Sequence, residues 1–158
     1  MPAWSPDGSR LAFSVGGEPT RVFVFDRKAL EVRRVAYGFW PTWSSDGSQI
    51  GYTRGLFAGV VSVNGVSDEP VLGVSGFSEP PQWSPVDGTY VYCFKHGFRE
   101  SIFRGPPSTF GPLVGAGCDP SWSPDGRLIV FDRPSVDGGS SRIYLMNADG
   151  TNVRPLIR

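Results

Sequence analysis

An all-β fold made of four copies of one antiparallel unit is what this sequence predicts, on three observations. One phrase recurs four times: "PAWSPDGSRLAF" at 2–13, "PTWSSDGSQIGY" at 41–52, "PQWSPVDGTYVYC" at 81–93 and "PSWSPDGRLIVF" at 120–131, and its tryptophans Trp4, Trp43, Trp83 and Trp122 stand 39, 40 and 39 residues apart. The run after each turn alternates apolar and polar residues, the period of a half-buried strand, and lacks the i, i+3, i+4, i+7 spacing of a helical repeat. The 158 residues include 21 Gly and 15 Pro, which suits short strands joined by tight turns better than long helices. A repeat of about 40–45 residues with one Trp and one turn per unit is the pattern of β-propeller blades.

Taken in order, each unit divides into four strands, A to D. In the last unit "PSWS" is followed by the turn "PDG", then "RLIVFD", the loop "RPSVDGGSS", "RIYLMN", the turn "ADGT" and "NVRPLI"; the first unit copies this as "PAWS", "RLAFS", "RVFVFD" and "LEVRRVA". Pro presets the first central dihedral of the turn, Asp bonds back to the backbone, and Gly takes the left-handed conformation that closes the hairpin. Units two and three lack the "NADG" turn. The blades span about 1–38, 39–77, 78–117 and 118–158, forming one domain that is long enough to bury close to 70% of its unfolded surface.

The composition excludes several classes of function. Fifteen basic and fifteen acidic residues give no net charge, and nucleic-acid binding, which draws on clustered Lys and Arg, is not expected. No run approaches 18 apolar residues, so membrane insertion is not expected either. The start "MPAWSPDG" has neither the basic region nor the apolar core of a signal peptide. The chain reads as soluble, with its compartment open. Cys93 and Cys118 occupy non-equivalent positions, and sequence does not decide their pairing. Counting the extra Val86 as an insertion puts Cys93 in the place of Phe13, Tyr52 and Phe131, a core register that favours two free thiols and leaves unit three under-filled.

The phrase "PSWSPDGRLIVF…RIYLMNADGTNVRPL" closely resembles the WD40-like PD40 repeat of TolB-type β-propellers, and the resemblance covers residues 1–158. It implies protein or peptide partners at the channel mouth, and a periplasmic or secreted location. Two assemblies fit four blades: a monomeric four-bladed ring, or two half-rings joined as a homodimer into an eight-bladed one. With strand A first and strand D last, no strand is left over to latch the ring. A closed monomer would depend on side-chain packing between its first and last blades.

Recurrence decides which residues are structural. Asp7, Asp46, Asp87 and Asp125 appear in every unit, whereas a catalytic site needs a few groups once each with pKa values pushed apart. They are expected to shape turns, and the four tryptophans to fill the gaps between blades. His96 is the single histidine. That excludes a multi-His zinc site, no "GxSxG" elbow surrounds any Ser, and no phosphate-binding Gly-rich loop opens a helix. Neither cofactor nor metal is expected, and "VDGGSS" at 136–141 reads as a hairpin loop.

Alternating strand direction places the D–A and B–C loops on one face of the ring and the "SPDG" and "NADG" turns on the other. The first face collects Phe39, Trp40, Phe57, Phe77 and Phe98, interleaved with Arg54, Lys95 and Arg99, and His96 lies there in "FKHGFRE". Aromatic and Arg side chains on exposed loops make interface hot spots. The candidate binding set is therefore Phe39, Trp40, Arg54, Phe57, Phe77, His96, Phe98 and Arg99. Side chains flanking each Trp point away from it. Ala3, Ser5, Thr42, Ser44, Gln82, Ser84, Ser121 and Ser123 are accordingly expected to line the channel. The reading is a non-catalytic protein-interaction module or scaffold. Its alternatives are an accessory or gating domain of a peptidase-like enzyme, and a minimal structural propeller without a native ligand.

Overall fold

The computed structural model describes residues 1–55, 57–66, 80–96, 99–105, 112–134 and 140–157. They form a propeller of four antiparallel blades. Blade one is β1 (Ala3–Trp4), β2 (Arg10–Val15), β3 (Arg21–Asp26) and β4 (Glu31–Tyr37). Blade two is β5 (Phe39–Trp43), β6 (Gln49–Arg54) and β7 (Phe57–Ser62). Blade three is β8 (Gln82–Trp83), β9 (Tyr90–His96), β10 (Arg99–Gly105) and β11 (Leu113–Ala116), and blade four is β12 (Cys118–Trp122), β13 (Leu128–Arg133), β14 (Arg142–Asn147) and β15 (Arg154–Pro155). Each sheet is a meander with strands paired in chain order. The expected outer strand of blade two falls in 67–79, outside the described residues. Among the described residues no helix is long and apolar enough to cross a membrane.

Each "SPDG" phrase closes its hairpin in one way. Ser5 N–H donates to Arg10 O (2.9 Å) and Gly8 N–H to Ser5 O (2.9 Å), with the same bonds at Ser44 and Gly47 and at Ser123 and Gly126. The aspartate secures the turn: Asp7 accepts from the Ser5 hydroxyl (2.6 Å) and from Ser9 N–H (3.0 Å). Asp46 and Asp125 do likewise. In unit three Ser84 N–H donates to Thr89 O (2.7 Å), across the same number of residues. Val86 is therefore absorbed inside the turn, and one residue fewer follows Gly88.

This corrects the expected alignment. Trp4, Trp43, Trp83 and Trp122 pair with Leu11, Ile50, Tyr90 and Ile129. Tyr92, not Cys93, therefore shares the register of Phe13, Tyr52 and Phe131, and unit three is not under-filled. Cys93 instead matches Ser14, Thr53 and Asp132. It is disulfide-bonded to Cys118, with Cα atoms 5.0 Å apart, so the expectation of free thiols is also overturned. The bond joins β9 of blade three to β12 of blade four, bringing together two cysteines that occupy different positions in their own repeats.

Blades stack face to face through three apolar clusters. The first sets Ala12, Val22, Val24 and Val35 of blade one against Trp43, Ile50, Tyr52 and Val61 of blade two. The second sets Ala58 and Val60 against Tyr90 and Tyr92, and the third Val91 and Ile102 against Ile129, Phe131 and Met146. A tryptophan spans each seam. Trp43 Nε1–H donates to Ala3 O across the first (2.9 Å), and Trp122 Nε1–H to Gln82 O across the third (3.1 Å). Arginines from the preceding blade cover both rings: Arg10 lies 5.2 Å from the Trp43 centroid and Arg104 5.2 Å from that of Trp122. The middle seam differs. There Thr42 Oγ1–H donates to Pro81 O (3.0 Å), and Trp83 Nε1 is buried without an acceptor.

Gly38 and Gly117 carry the chain from one blade to the next with φ of 150° and 137°. A Cβ at either would strike the backbone carbonyl of Thr53 or Asp132. Glycine at these crossings is required by contact as well as by conformation.

Three measurements check this architecture. Trp43 is 8% exposed; Trp43→Ala should cost about 3–5 kcal/mol in urea unfolding. Trp43→Phe, which keeps a ring but loses the bond to Ala3 O, should cost about 0.5–1.5 kcal/mol. Reduction, or Cys93→Ser with Cys118→Ser, releases a link across 25 residues and should lower stability by about 3 kcal/mol. The third is pH. The Ser48 N–H and the Ser44 hydroxyl hold Asp46 down at about 2 against an ordinary 3.8, and the Ser5 and Ser123 hydroxyls lower Asp7 and Asp125. Burial raises Asp87, but bonds from Ser84 and Thr89 and the Arg104 charge outweigh it. A depressed folded pKa contributes stability that is complete above the unfolded value and lost as pH falls through the folded one. Urea midpoints should hold steady above about pH 5 and fall between about pH 4 and 2, with a shallower fall in Asp46→Asn.

Candidate functional site

The B–C and D–A connections share one end of the blades, as expected, and the "SPDG" turns lie at the other. Strands A of successive blades touch one another, which makes them the innermost strands and puts this loop end at the mouth of the axis. Around blade two the end is aromatic. Tyr37 ends β4, Phe39 and Trp40 begin β5, and Arg54 and Phe57 face each other across a hairpin turned by Gly55, whose φ is 62°. The Phe39 and Trp40 rings meet edge to face at 4.9 Å. The Arg34 and Arg54 guanidinium groups lie 4.3 and 5.8 Å from the Tyr37 centroid.

Trp40 is the strained member. Its φ is 54°, a left-handed conformation that a bulky side chain adopts only when its surroundings force it. A bulge between Phe39 and Thr42 requires the turn, and Trp40 N–H donates to Ser14 Oγ (3.1 Å). Blade four repeats the bulge with Asp119 at φ 49°, a residue type that tolerates the conformation. The ring gained by this strain is not buried: Trp40 is 39% exposed and Phe57 36%. Trp40 also lines a recess of about 260 Å³ with Met1, Pro80 and Gln82, residues of or beside the innermost strands of blades one and three.

On blade three the described residues of this face include an ion pair. Lys95 Nζ pairs with Glu100 Oε1 at 2.9 Å, and that bond, with the charges of Asp119 and Asp132, raises the lysine pKa although burial opposes it. Among the described residues no three His, Cys, Asp or Glu gather to hold a metal.

Of the expected binding residues, Phe39, Trp40, Arg54 and Phe57 come together. Phe77 and Phe98 lie outside the described residues. His96 ends β9 and Arg99 begins β10, paired across their hairpin, so His96 belongs to a strand end and not to a loop interior; their side chains are likewise outside the description. Sequence reasoning missed Tyr37, Asp119 and Glu100. The first two could have been found from the shared "YGFWP" and "AGCDP" crossings, which mark one bulge used twice.

The channel-lining expectation is corrected in part. Ala3 and Thr42 point away from Trp but toward the next blade: Ala3 packs in the first cluster, and Thr42 bonds to Pro81. Gln82, Ser121 and Ser123 line one recess of about 260 Å³ between the innermost strands of blades three and four. Ser5, Ser44 and Ser84 are buried. The hydroxyls of Ser5, Ser44 and Ser123 close turns, each donating to the turn aspartate and accepting an N–H from the following strand, and the Ser84 hydroxyl accepts from Val86 N–H inside its own turn. Ser121 is exposed on the last blade.

Neither a protein-family model nor a curated protein sequence matches the chain. Solved structures do. TolB from Acinetobacter baumannii superposes with a TM-score of 0.68 at 18% identity, over 94% of this chain and 40% of that one. An oligogalacturonate lyase in complex with manganese gives 0.73 at 18%, over 97% and 50%. The β-propeller domain of the Trilobed protease from Pyrococcus furiosus, described as having an open velcro topology, gives 0.72 at 16%, over 99% and 57%. The chain thus spans about half the length of these structures. In fold, the chain is a β-propeller similar to those of TolB and the Trilobed protease.

Proposed function

We propose that the chain is a non-catalytic interaction module that takes a protein or peptide on its loop face, at the mouth of the axis. The observation that carries this reading is Trp40. A left-handed backbone position that Asn, Asp or Gly would occupy at lower cost holds instead a large ring that is left partly in solvent, beside Phe39, Phe57 and Arg54. Strain accepted without burial is accounted for when the ring serves recognition, and rigid aromatic anchors beside Arg are what hot spots use. A second reading, an accessory domain of a peptidase-like enzyme, is favoured by the likeness to the Trilobed protease propeller domain. A catalytic domain encoded in the same reading frame would support it.

The test is to pan a displayed random-peptide library on the immobilised chain and to measure the affinity of what is enriched. Trp40→Asn with Phe57→Ser should weaken binding at least tenfold, as the loss of an anchor worth about 2 kcal/mol implies. Trp40→Asn alone should leave stability equal or about 1 kcal/mol higher, because Asn tolerates the left-handed position. Lys28→Ala with Arg127→Ala, on the turn face, should leave binding intact. Peptides that survive the aromatic replacements and are lost with the turn-face pair would overturn the proposal.

A further inference from the structure

The two outermost faces of the arc are the two halves of a seam that the chain makes three times internally. On the side of a blade that carries Trp, equivalent positions are filled by Trp4, Leu11 and Phe13 in blade one; Trp43, Ile50 and Tyr52 in blade two; Trp83, Tyr90 and Tyr92 in blade three; and Trp122, Ile129 and Phe131 in blade four. Ile50, Tyr90 and Ile129 are fully buried, and Tyr52, Tyr92 and Phe131 are 1% exposed. In blade one Leu11 and Phe13 are only half-buried, and Trp4 is 56% exposed where Trp43 is 8%. On the opposite side Val22, Ala58 and Ile102 are equivalent and fully buried, while their counterpart in blade four, Ile143, is 42% exposed. Among the described residues the apolar clusters join blade one to two, two to three and three to four, and none joins four to one.

We infer that these two faces are covered by a second copy of the chain, joined head to tail through both seams into a closed eight-bladed ring. In each new seam Trp4 of one protomer takes the place that Trp43 and Trp122 take internally, its Nε1–H directed at the carbonyl of the partner's Ser121, the counterpart of Ala3 and Gln82. Ile143 is covered as Ile102 is. The occupant must present a blade face complementary to the exposed one, and this chain carries that face on its own far side. Size agrees: the chain matches 57% of the Trilobed protease propeller domain, so two copies amount to slightly more than one whole propeller. A head-to-tail interface either closes or grows into a filament, and two half-rings close.

Sedimentation or light scattering across a range of concentrations tests this. The expected mass is twice the 17.2 kDa of the chain, with Trp4→Glu and, separately, Ile143→Glu each returning it to a single chain while keeping the far-ultraviolet sheet signal. If either variant loses that signal, Trp4→Ser and Ile143→Thr carry the same readout. A single-chain mass at every concentration, a dimer that persists in the replacements at both edges, or a series of masses growing without limit would each overturn the inference.

Discussion

The tryptophan that begins each repeat is the constraint on which the arrangement depends, because a blade alone does not bury its own faces. A four-stranded sheet has two sides, and in a propeller both must be covered by neighbours. Trp43 and Trp122 do this with a ring that fills the gap and an Nε1–H that reaches the innermost strand of the previous blade. The hydrogen bond fixes how far one blade can slide on the next. The arginine stacked on the ring, Arg10 or Arg104, also reaches a backbone carbonyl of the following blade, Gly47 O or Ala148 O. One side chain thus sets spacing, offset and angle, and repetition turns these into an arc.

The seams are not equal, and the differences are chemical. The first is aliphatic against Trp and Tyr. The second leaves Trp83 Nε1 and the Tyr90 hydroxyl buried without partners, and it is crossed by the Thr42 bond and by Ala58 and Val60 packed on Tyr90 and Tyr92. The third adds the disulfide and the bond from Arg104 to Ala148 O. Buried unpaired donors weaken a seam, whereas a covalent link limits how far one can open. Blades three and four are thus the covalently joined pair, and the seam between blades two and three carries the buried unpaired donors.

The loop face inherits its character from the same geometry. Gly38 and Gly117 make the crossings, and each is followed by a bulge with a left-handed residue two positions on. At Asp119 that position is chemically ordinary. At Trp40 it holds a ring beside Phe39 and the Tyr37–Arg54 stack, so among the described residues the aromatic part of this face is on blades one and two, while blade three presents Lys95 and Glu100.

The sequence by itself determined the blade. The four Trp phrases, the "SPDG" turns and the period-two alternation decide each hairpin, because these are local interactions: Asp7 bonds to residues two positions away, and β1 pairs with β2 across a single turn. It also indicated which end of the blades carries Phe39, Trp40, Arg54 and Phe57. Only the tertiary structure decided what each strand face meets. Alternation correctly sent Ala3 and Thr42 away from Trp, yet whether that side faces an axis or another blade depends on how blades stack, which is not written in any single unit. The register across Val86 was lost for a similar reason, since a one-residue change can be taken up before or after the glycine, and the strand pairing that chooses between them is formed by backbone bonds common to every sequence. The Cys93–Cys118 link followed from that choice, joining residues whose nearness arises only when blade four docks on blade three.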